Sequence, residues 1–482
     1  MNRRIVFRTV GLIVLLESAL FLISAFVALT NRAPSLSSFL FSAALSAGFG
    51  LVLFFCSKPR SRVIYAKEGF AITSLAWVLL SAFGALPFYC SGQIPDYIDA
   101  FFETVSGFTT TGASILPRVE DLDPALLFWR SFTNWIGGMG VLVFLMIFLP
   151  NMTDRPIHIM RAEMPGPTVG KLLPKARDTA KILYIMYLLM TLVLFLLLSF
   201  GGMNPFDSLL HSFSAAGTGG FGLYSDSLAS FTPYQIWVIS IFLFLFGINF
   251  NLYYLILIRR FRSAFRSTEL RVYCAIVLIS IAILCVDLYG RYESFSELLM
   301  HSSLQVLSIF TTAGFSTTNF DLWPTLSKSV LLILMFIGGC AGSTAGGIKV
   351  SRVIMLFKNC FSELRQMLHP RSVNVLQLDG KKVEKETQTG VSIYFTLYCL
   401  CFFGIFFLLS LNGLDFETTF TAVASTFNNV GPGFAGVGPM ENFSVFSDFS
   451  KLLLSFSMLL GRLEIWPILL SFQFSLLKKR KK

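Results

Sequence analysis

Four nine-residue stretches decide how this chain is read: SGFTTTGAS at 106–114, SAAGTGGFG at 214–222, SIFTTAGFS at 308–316 and STFNNVGPG at 425–433. They align without gaps. Each opens with Ser and carries Gly six residues later, at Gly112, Gly220, Gly314 and Gly431, with Thr110, Thr218, Thr312 or Asn429 at the fifth position. The opening serines stand 108, 94 and 117 residues apart, and self-similarity at so regular a period signals a repeated structural unit. Each copy follows a short, half-apolar stretch (96–105, 207–213, 294–307 and 415–424) and lies between two long apolar runs. One copy alone reads as a small-residue turn. Four copies in one register, each at the same place between apolar runs, do not. The unit is a span, a short re-entrant helix, a Gly-containing extended strand and a second span.

Composition sets the solvent of this unit. Of 482 residues, 54% are hydrophobic and 13% charged, with 52 Phe; a soluble domain carries roughly 25% charged residues. Too little charge is present to cover a soluble surface. An integral membrane protein is implied, which excludes a soluble enzyme, a nucleic-acid-binding domain and a secreted disulfide scaffold. A bilayer core of roughly 30 Å takes about 20 apolar residues in a helix. Runs near that length fall at 9–30, 35–57, 68–91, 125–149, 182–202, 232–258, 272–290, 324–348, 388–412 and 444–477, ten in all, the eighth interrupted by glycines. The first run exceeds the roughly 7–15 residues of a secretory signal core and reads as a retained helix. The N-terminus and the segments 58–67, 154–181, 259–271, 349–386 and 478–482 hold 31 of the 38 Lys and Arg but 8 of the 27 acids. By the positive-inside rule both termini are cytoplasmic, as ten spans require, and the +11 net charge belongs to topology.

The expected fold is an all-α polytopic membrane protein with four pseudo-symmetric repeats around one pore. Residues 1–60 form two extra N-terminal spans, 61–155 repeat 1, 156–262 repeat 2, 263–386 repeat 3 with an intramembrane loop, and 387–482 repeat 4. Most of the eight cysteines lie inside spans, as small hydrophobes, without Cys-x-x-Cys spacing. The four histidines do not cluster as metal ligands.

Re-entrant backbone at membrane depth survives only where protein buries it or where it lines a water-filled cavity. Four such strands about one axis make a ring of carbonyl oxygens that can replace the hydration shell of a monovalent cation. Gly is needed where successive carbonyls must all point inward, because a Cβ opposes those backbone angles. The Thr hydroxyls either add oxygens or tighten the loop. No carboxylate lies in the four segments, which argues against a strong divalent site. The short helices aim their C-terminal, negative ends at the centre and favour cations.

The second span of each repeat has interior glycine: Gly137 and Gly138, Gly247, Gly338 and Gly339, and Gly461. The third is exceptional, since GGCAGSTAGG at 338–347 holds five Gly, each costing a helix roughly 1 kcal/mol relative to Ala. The helix should break there. The alternative is a tight helix–helix contact of small residues; a P-loop is excluded by spacing. Ser343, Thr344 and nearby Lys349 suit a gate exposed to water. Arg462 lies midway along an apolar span, where an ionisable residue is costly and a functional candidate; a structural ion pair is the alternative. Glu464, two residues on, faces another side of the helix. Asn249 and Asn251 either line the same cavity or, by a slight preference, hydrogen-bond neighbouring helices.

Over essentially its whole length the chain resembles the Trk/Ktr/HKT potassium transporters, and within them the TrkH type. The resemblance rests on the four nine-residue segments, on GGCAGSTAGG at 338–347 and GRLE at 461–464, and on the two extra N-terminal spans. It implies potassium uptake across the cytoplasmic inner membrane through a filter of Thr110, Thr111, Gly112, Thr218, Gly219, Gly220, Thr312, Ala313, Gly314, Asn429, Val430 and Gly431. In this family a Gly at the position of Gly112 goes with potassium, whereas Ser there marks some sodium transporters. It further implies a gate of Gly338, Gly339, Gly342, Ser343, Thr344, Gly346, Gly347 and Lys349, with Arg462 facing the pore below the filter. The transported ion is K+, with no organic cofactor on this chain. The implied partners are a cytosolic nucleotide-binding ring subunit of the TrkA type and a second copy in a homodimer, together with membrane lipid and no nucleic acid. Two other classes remain in view. A sodium- or proton-coupled symporter usually shows two related halves rather than four units, and a membrane-embedded enzyme would want a convergent His, Cys or acidic pair.

Overall fold

The computed structural model describes residues 2–57, 64–140, 176–369 and 376–476. The two N-terminal runs form α1 (Arg3–Thr30) and α2 (Leu36–Cys56). Small residues let their backbones touch: a Cβ at Gly11 would lie 2.8 Å from the Gly50 carbonyl oxygen, a contact by which helices associate in lipid. The Ser18 hydroxyl adds a 2.8 Å bond to the Ala43 carbonyl.

The order long helix, short helix, non-helical strand, inner helix then recurs four times among the described residues. It runs through α3 (Ala66–Gly84), α4 (Leu86–Cys90), α5 (Tyr97–Phe108) and α6 (Pro124–Gly138). The second copy comprises α7 (Ala176–Phe200), α8 (Pro205–Gly217), α9 (Pro233–Phe246) and α10 (Phe250–Leu257), followed by a short α11 (Phe261–Phe265). The third comprises α12 (Thr268–Asp287), α13 (Phe295–Phe310), α14 (Thr325–Ile337) and α15 (Val350–Leu368). An antiparallel hairpin, Gln377–Leu378 with Lys381–Lys382, leads into the fourth: α16 (Lys385–Leu409), α17 (Phe416–Asn428), α18 (Asp448–Arg462) and α19 (Trp466–Leu476).

Each short helix starts where its sequence provides a cap. Asp96, Asn204, Ser294 and Asp415 accept backbone N–H bonds from the first turns of α5, α8, α13 and α17, a cap being worth roughly 0.5–2 kcal/mol. Asp123, Thr232 and Ser447 do the same for inner helices α6, α9 and α18.

The inner helices depart from the ten-span expectation. Six described helices are long and apolar enough to cross a membrane, or seven if one bent pair counts as a span. The run 232–258 is that pair: α9 and α10 meet at 89°. The break follows from Asn249, whose side chain caps α10 at Asn251 N–H (2.9 Å), while Phe250 N–H leaves the helix for the Gly342 carbonyl (3.0 Å). The run 444–477 also divides, at Glu464 and Ile465, which hold positive φ of 55° and 68°. The run 324–348 ends its helix at Ile337, as its glycines require. The end of 125–149 and most of the basic segment 154–181 lie outside the described residues, as do 58–63 and 477–482.

Candidate ion pathway

The four repeated segments all end their short helix in the same way. Thr110, Thr218, Thr312 and Asn429 take positive φ of 55°, 52°, 57° and 58°. Each donates its N–H back three residues, and the next residue donates to the carbonyl of the opening serine: Thr111 to Ser106, Gly219 to Ser214, Ala313 to Ser308 and Val430 to Ser425, at 2.7–2.9 Å. This is a Schellman end, in which a left-handed residue lets the last helical carbonyls find partners. The repeated Ser is therefore the last-turn residue whose carbonyl is capped. A β-branched Thr in that conformation is strained by roughly 1–3 kcal/mol, and all four residues are buried.

Beyond these ends the strands close a ring in chain order. A Cβ at Gly112 would lie 2.2 Å from Gly219 O, one at Gly220 1.7 Å from Ala313 O, one at Gly314 2.3 Å from Val430 O, and one at Gly431 2.8 Å from Thr111 O. Any side chain there would strike the neighbouring strand's carbonyl. All four glycines also hold positive φ, from 69° to 106°. The carbonyls of Thr111, Gly219, Ala313 and Val430, each just before its glycine, thus close one belt with the four glycines. Asn429 Nδ2 donates to Thr111 Oγ1 (2.9 Å), joining the fourth strand to the first, whereas Thr218 Oγ1 donates to Gly217 O (2.7 Å) within its own segment. A pocket lined by all four glycines, with Ser114, Arg130 and Glu441, opens on one side of the ring.

The 338–347 loop lies against the other side. Gly346 N–H donates to Thr312 Oγ1 (2.6 Å) and Gly347 N–H to Asn428 O (3.1 Å). A Cβ at Gly346 would fall 2.3 Å from Asn428 O, so Gly permits the approach. The start of the loop is held by the broken inner helix of the second copy, with Cys340 N–H on Gly247 O (3.0 Å) and Thr344 Oγ1 on Phe246 O (3.3 Å). Gly338, Gly342, Gly347 and Lys349 have positive φ, and Val350 N–H returns to Gly339 O (3.0 Å), which closes the neck. Thr344 and Lys349 are buried rather than facing water as expected, because carbonyls satisfy them; the Lys349 ammonium donates to Ala345 O. Ser343 lines a second pocket with Gly342, Gly346, Gly347, Lys349 and Arg462.

Arg462 reaches from the end of α18 to backbone carbonyls of two other elements. It donates to Thr344 O of the loop (3.0 Å), to Gly138 O (2.8 Å) and to Gly137 O, so it bridges the loop and the end of α6. Glu464 pairs with Arg352 at 2.9 and 2.5 Å, and Arg352 stacks over Tyr394 at 4.1 Å. Asn249 Nδ2 reaches Glu269 of the neighbouring α12 at 3.5 Å, while Asn251 gives its backbone N–H to Asn249 Oδ1.

Sequence reasoning missed Glu269, whose Oε1 accepts Ala341 N–H of the loop (2.7 Å), and Arg352. Both read as ordinary charges at the cytoplasmic starts of helices, and no local signal marked them. Among the described residues no group of His, Cys, Asp and Glu could hold a metal ion; the oxygens of the ring are backbone.

The whole chain has known relatives. It is 36% identical over 479 residues to the "Trk system potassium uptake protein TrkH" of Salmonella typhimurium, covering 98% of this chain and 99% of that one. It is 34% identical over 480 residues to the "Trk system potassium uptake protein TrkG" of Escherichia coli, covering 97% of each. The crystal structure of the potassium transporter TrkH from Vibrio parahaemolyticus superposes with a TM-score of 0.86 at 33% identity, over 97% of this chain and 98% of that one. Residues 36–479 match the family described as TrkH: Cation transport protein. A multi-pass membrane chain with a belt of four strands closed by glycine against carbonyl, it belongs to the TrkH family of cation transport proteins.

Proposed function

We propose that this chain carries potassium into the cell through the ring of residues 110–112, 218–220, 312–314 and 429–431. The observation that carries the reading is the closed belt itself: four strands, each pressing the carbonyl before its glycine against the glycine of the previous strand. Backbone oxygens held at fixed separation suit a dehydrated monovalent cation. The relatives' names, potassium uptake proteins of a Trk system, support the choice of ion. The four units, with the boundaries expected from sequence, each supply one strand. The 338–349 loop and Arg462 form the gate: the loop lies across the inner face of the ring, and a fixed positive charge anchors it.

Control comes from outside the chain. A cytosolic nucleotide-binding ring subunit of the TrkA type releases the loop, and the membrane subunit works as a homodimer in the cytoplasmic membrane with both termini inside. Basic cytoplasmic segments meet anionic lipid. The test is flux into proteoliposomes holding purified protein, with potassium, rubidium or sodium outside. Potassium and rubidium flux well above sodium, unaffected by collapse of a proton gradient, is the expected result. Sodium flux equal to potassium, or flux that stops when the proton gradient is removed, overturns it.

A further inference from the structure

Behind the ring, at the junction of the first and second strands, sits an ion pair that the pathway described so far does not use. Glu103, midway along α5, and Arg130, midway along α6, are 1% and 3% exposed and meet at 2.6 Å, Nε to Oε1. The carboxylate also accepts the Ser114 hydroxyl (3.0 and 3.1 Å) and the Ile115 N–H (3.0 Å), both in the strand just past Gly112. On the other side, Arg130 Nη1 donates to Gly222 O (2.8 Å) and its guanidinium lies 3.6 Å from the Phe221 ring centroid, both just past Gly220. One pair of charges therefore grips the outer ends of two neighbouring strands.

A buried ion pair is a poor device for stability, because desolvating two charges offsets their attraction. It does give a fixed distance, because the further bonds to Ser114, Ile115 and Gly222 hold the carboxylate and the planar guanidinium in one orientation. The junctions further round are built differently. Lys328 joins α14 to Glu417 in the first turn of α17 (2.8 Å) and to Asp321 (2.9 Å), and lies 5.1 Å from the Phe434 ring centroid past the fourth strand, while Lys451 with Asp99 joins α18 to the first turn of α5. The second and third strands meet through Leu228 N–H on Ser316 O (2.9 Å) and Ser316 N–H on Ser227 Oγ (3.1 Å). What sets the first junction apart is that both charges are fully buried and each hydrogen-bonds the backbone of a strand, Glu103 at Ile115 and Arg130 at Gly222, whereas the Lys328 cluster is partly exposed.

We propose that Glu103 and Arg130 are positioning residues that set the discrimination of potassium from sodium, by holding the strands at 112–115 and 220–222 at one separation. This rests on the reading of the ring as the ion filter. A ring free to contract satisfies a smaller ion; a ring braced from behind does not. The pair also keeps the Arg130 charge, which lines the outer pocket, neutral toward an arriving cation.

The test is the sodium-to-potassium flux ratio in proteoliposomes, per folded protein judged by gel filtration and melting temperature, for Glu103→Gln, Arg130→Lys, Ser114→Ala and, as a reference, Gly112→Ser. A purely structural role lowers the yield of folded protein and leaves the ratio alone. Glu103→Gln keeps the shape but removes the charge, and Arg130→Lys keeps the charge but cannot grip both strands. A hydrogen bond to a charged group is worth a factor of about ten or more in an equilibrium, so both should raise the ratio by about tenfold. Ser114→Ala, which leaves the ion pair intact, should raise it less. Parental ratios in the folded variants, with a shifted ratio in Gly112→Ser, overturn this proposal and leave the filter reading standing. If Gly112→Ser is also unshifted, the filter reading falls and takes this proposal with it. Should neither charge variant fold, Ser114→Ala decides: a parental ratio overturns the proposal.

Discussion

In the proposed gate, replacing Arg462 separates two ways in which one side chain would block a pore. The first is its charge. A cation passing ~6 Å from the guanidinium at an effective dielectric near 20 meets roughly 2–3 kcal/mol of repulsion, which slows passage by roughly 30- to 160-fold. The second is its grip. The bond to Thr344 O ties the loop to the end of α6 through Gly137 O and Gly138 O, and one charge-assisted bond contributes about 1.5–3 kcal/mol. Arg462→Lys retains the charge but, with a single ammonium, cannot span the loop and α6 together. Arg462→Ala loses both. The expected order of conductance is therefore parent, then Lys, then Ala, in single-channel or liposome flux normalised to folded protein. A Lys variant equal to the parent removes the grip and leaves charge alone as the barrier. A well-folded Ala variant with parental conductance removes Arg462 from the pathway. Early melting of both variants would assign it to structure, since carbonyls left unpaired in the interior cost about 1–3 kcal/mol each.

Two further outcomes follow from contacts in the belt and the loop. Gly112→Ser, whose Cβ would meet Gly219 O at 2.2 Å in a strand with φ of 80°, should raise sodium relative to potassium flux by about tenfold, the strain involved being roughly 1–3 kcal/mol; an unchanged ratio would place Gly112 outside the filter. Gly346→Ala, or shortening of 338–347, should lift the loop from Asn428 O and raise flux without a cytosolic partner while leaving the potassium-to-sodium ratio as it was. Folded variants that conduct no better than the parent would put the gate elsewhere.

The same residues show where sequence stops. Serine and glycine six apart, four times over, were legible because each short helix ends by a local hydrogen-bond pattern that its own nine residues encode. The membrane character and the long outer spans were legible because the bilayer acts on each segment separately, although the inner runs break. The broken loop at 338–347 was legible because glycine opposes helix wherever it sits. The rest is long-range. That Gly112, Gly220, Gly314 and Gly431 leave no room for a side chain depends on the carbonyl of the neighbouring strand. The bend of 89° combines the local Asn249 cap with a partner far along the chain, Gly342, which takes the Phe250 N–H. Arg462 and Glu464 stand two residues apart, yet one binds carbonyls near 137 and 344 while the other finds Arg352. A buried charge takes its partner from whatever the fold brings within about 3 Å. Composition places such a charge inside the membrane, and only the packing of helices from different repeats decides what it holds.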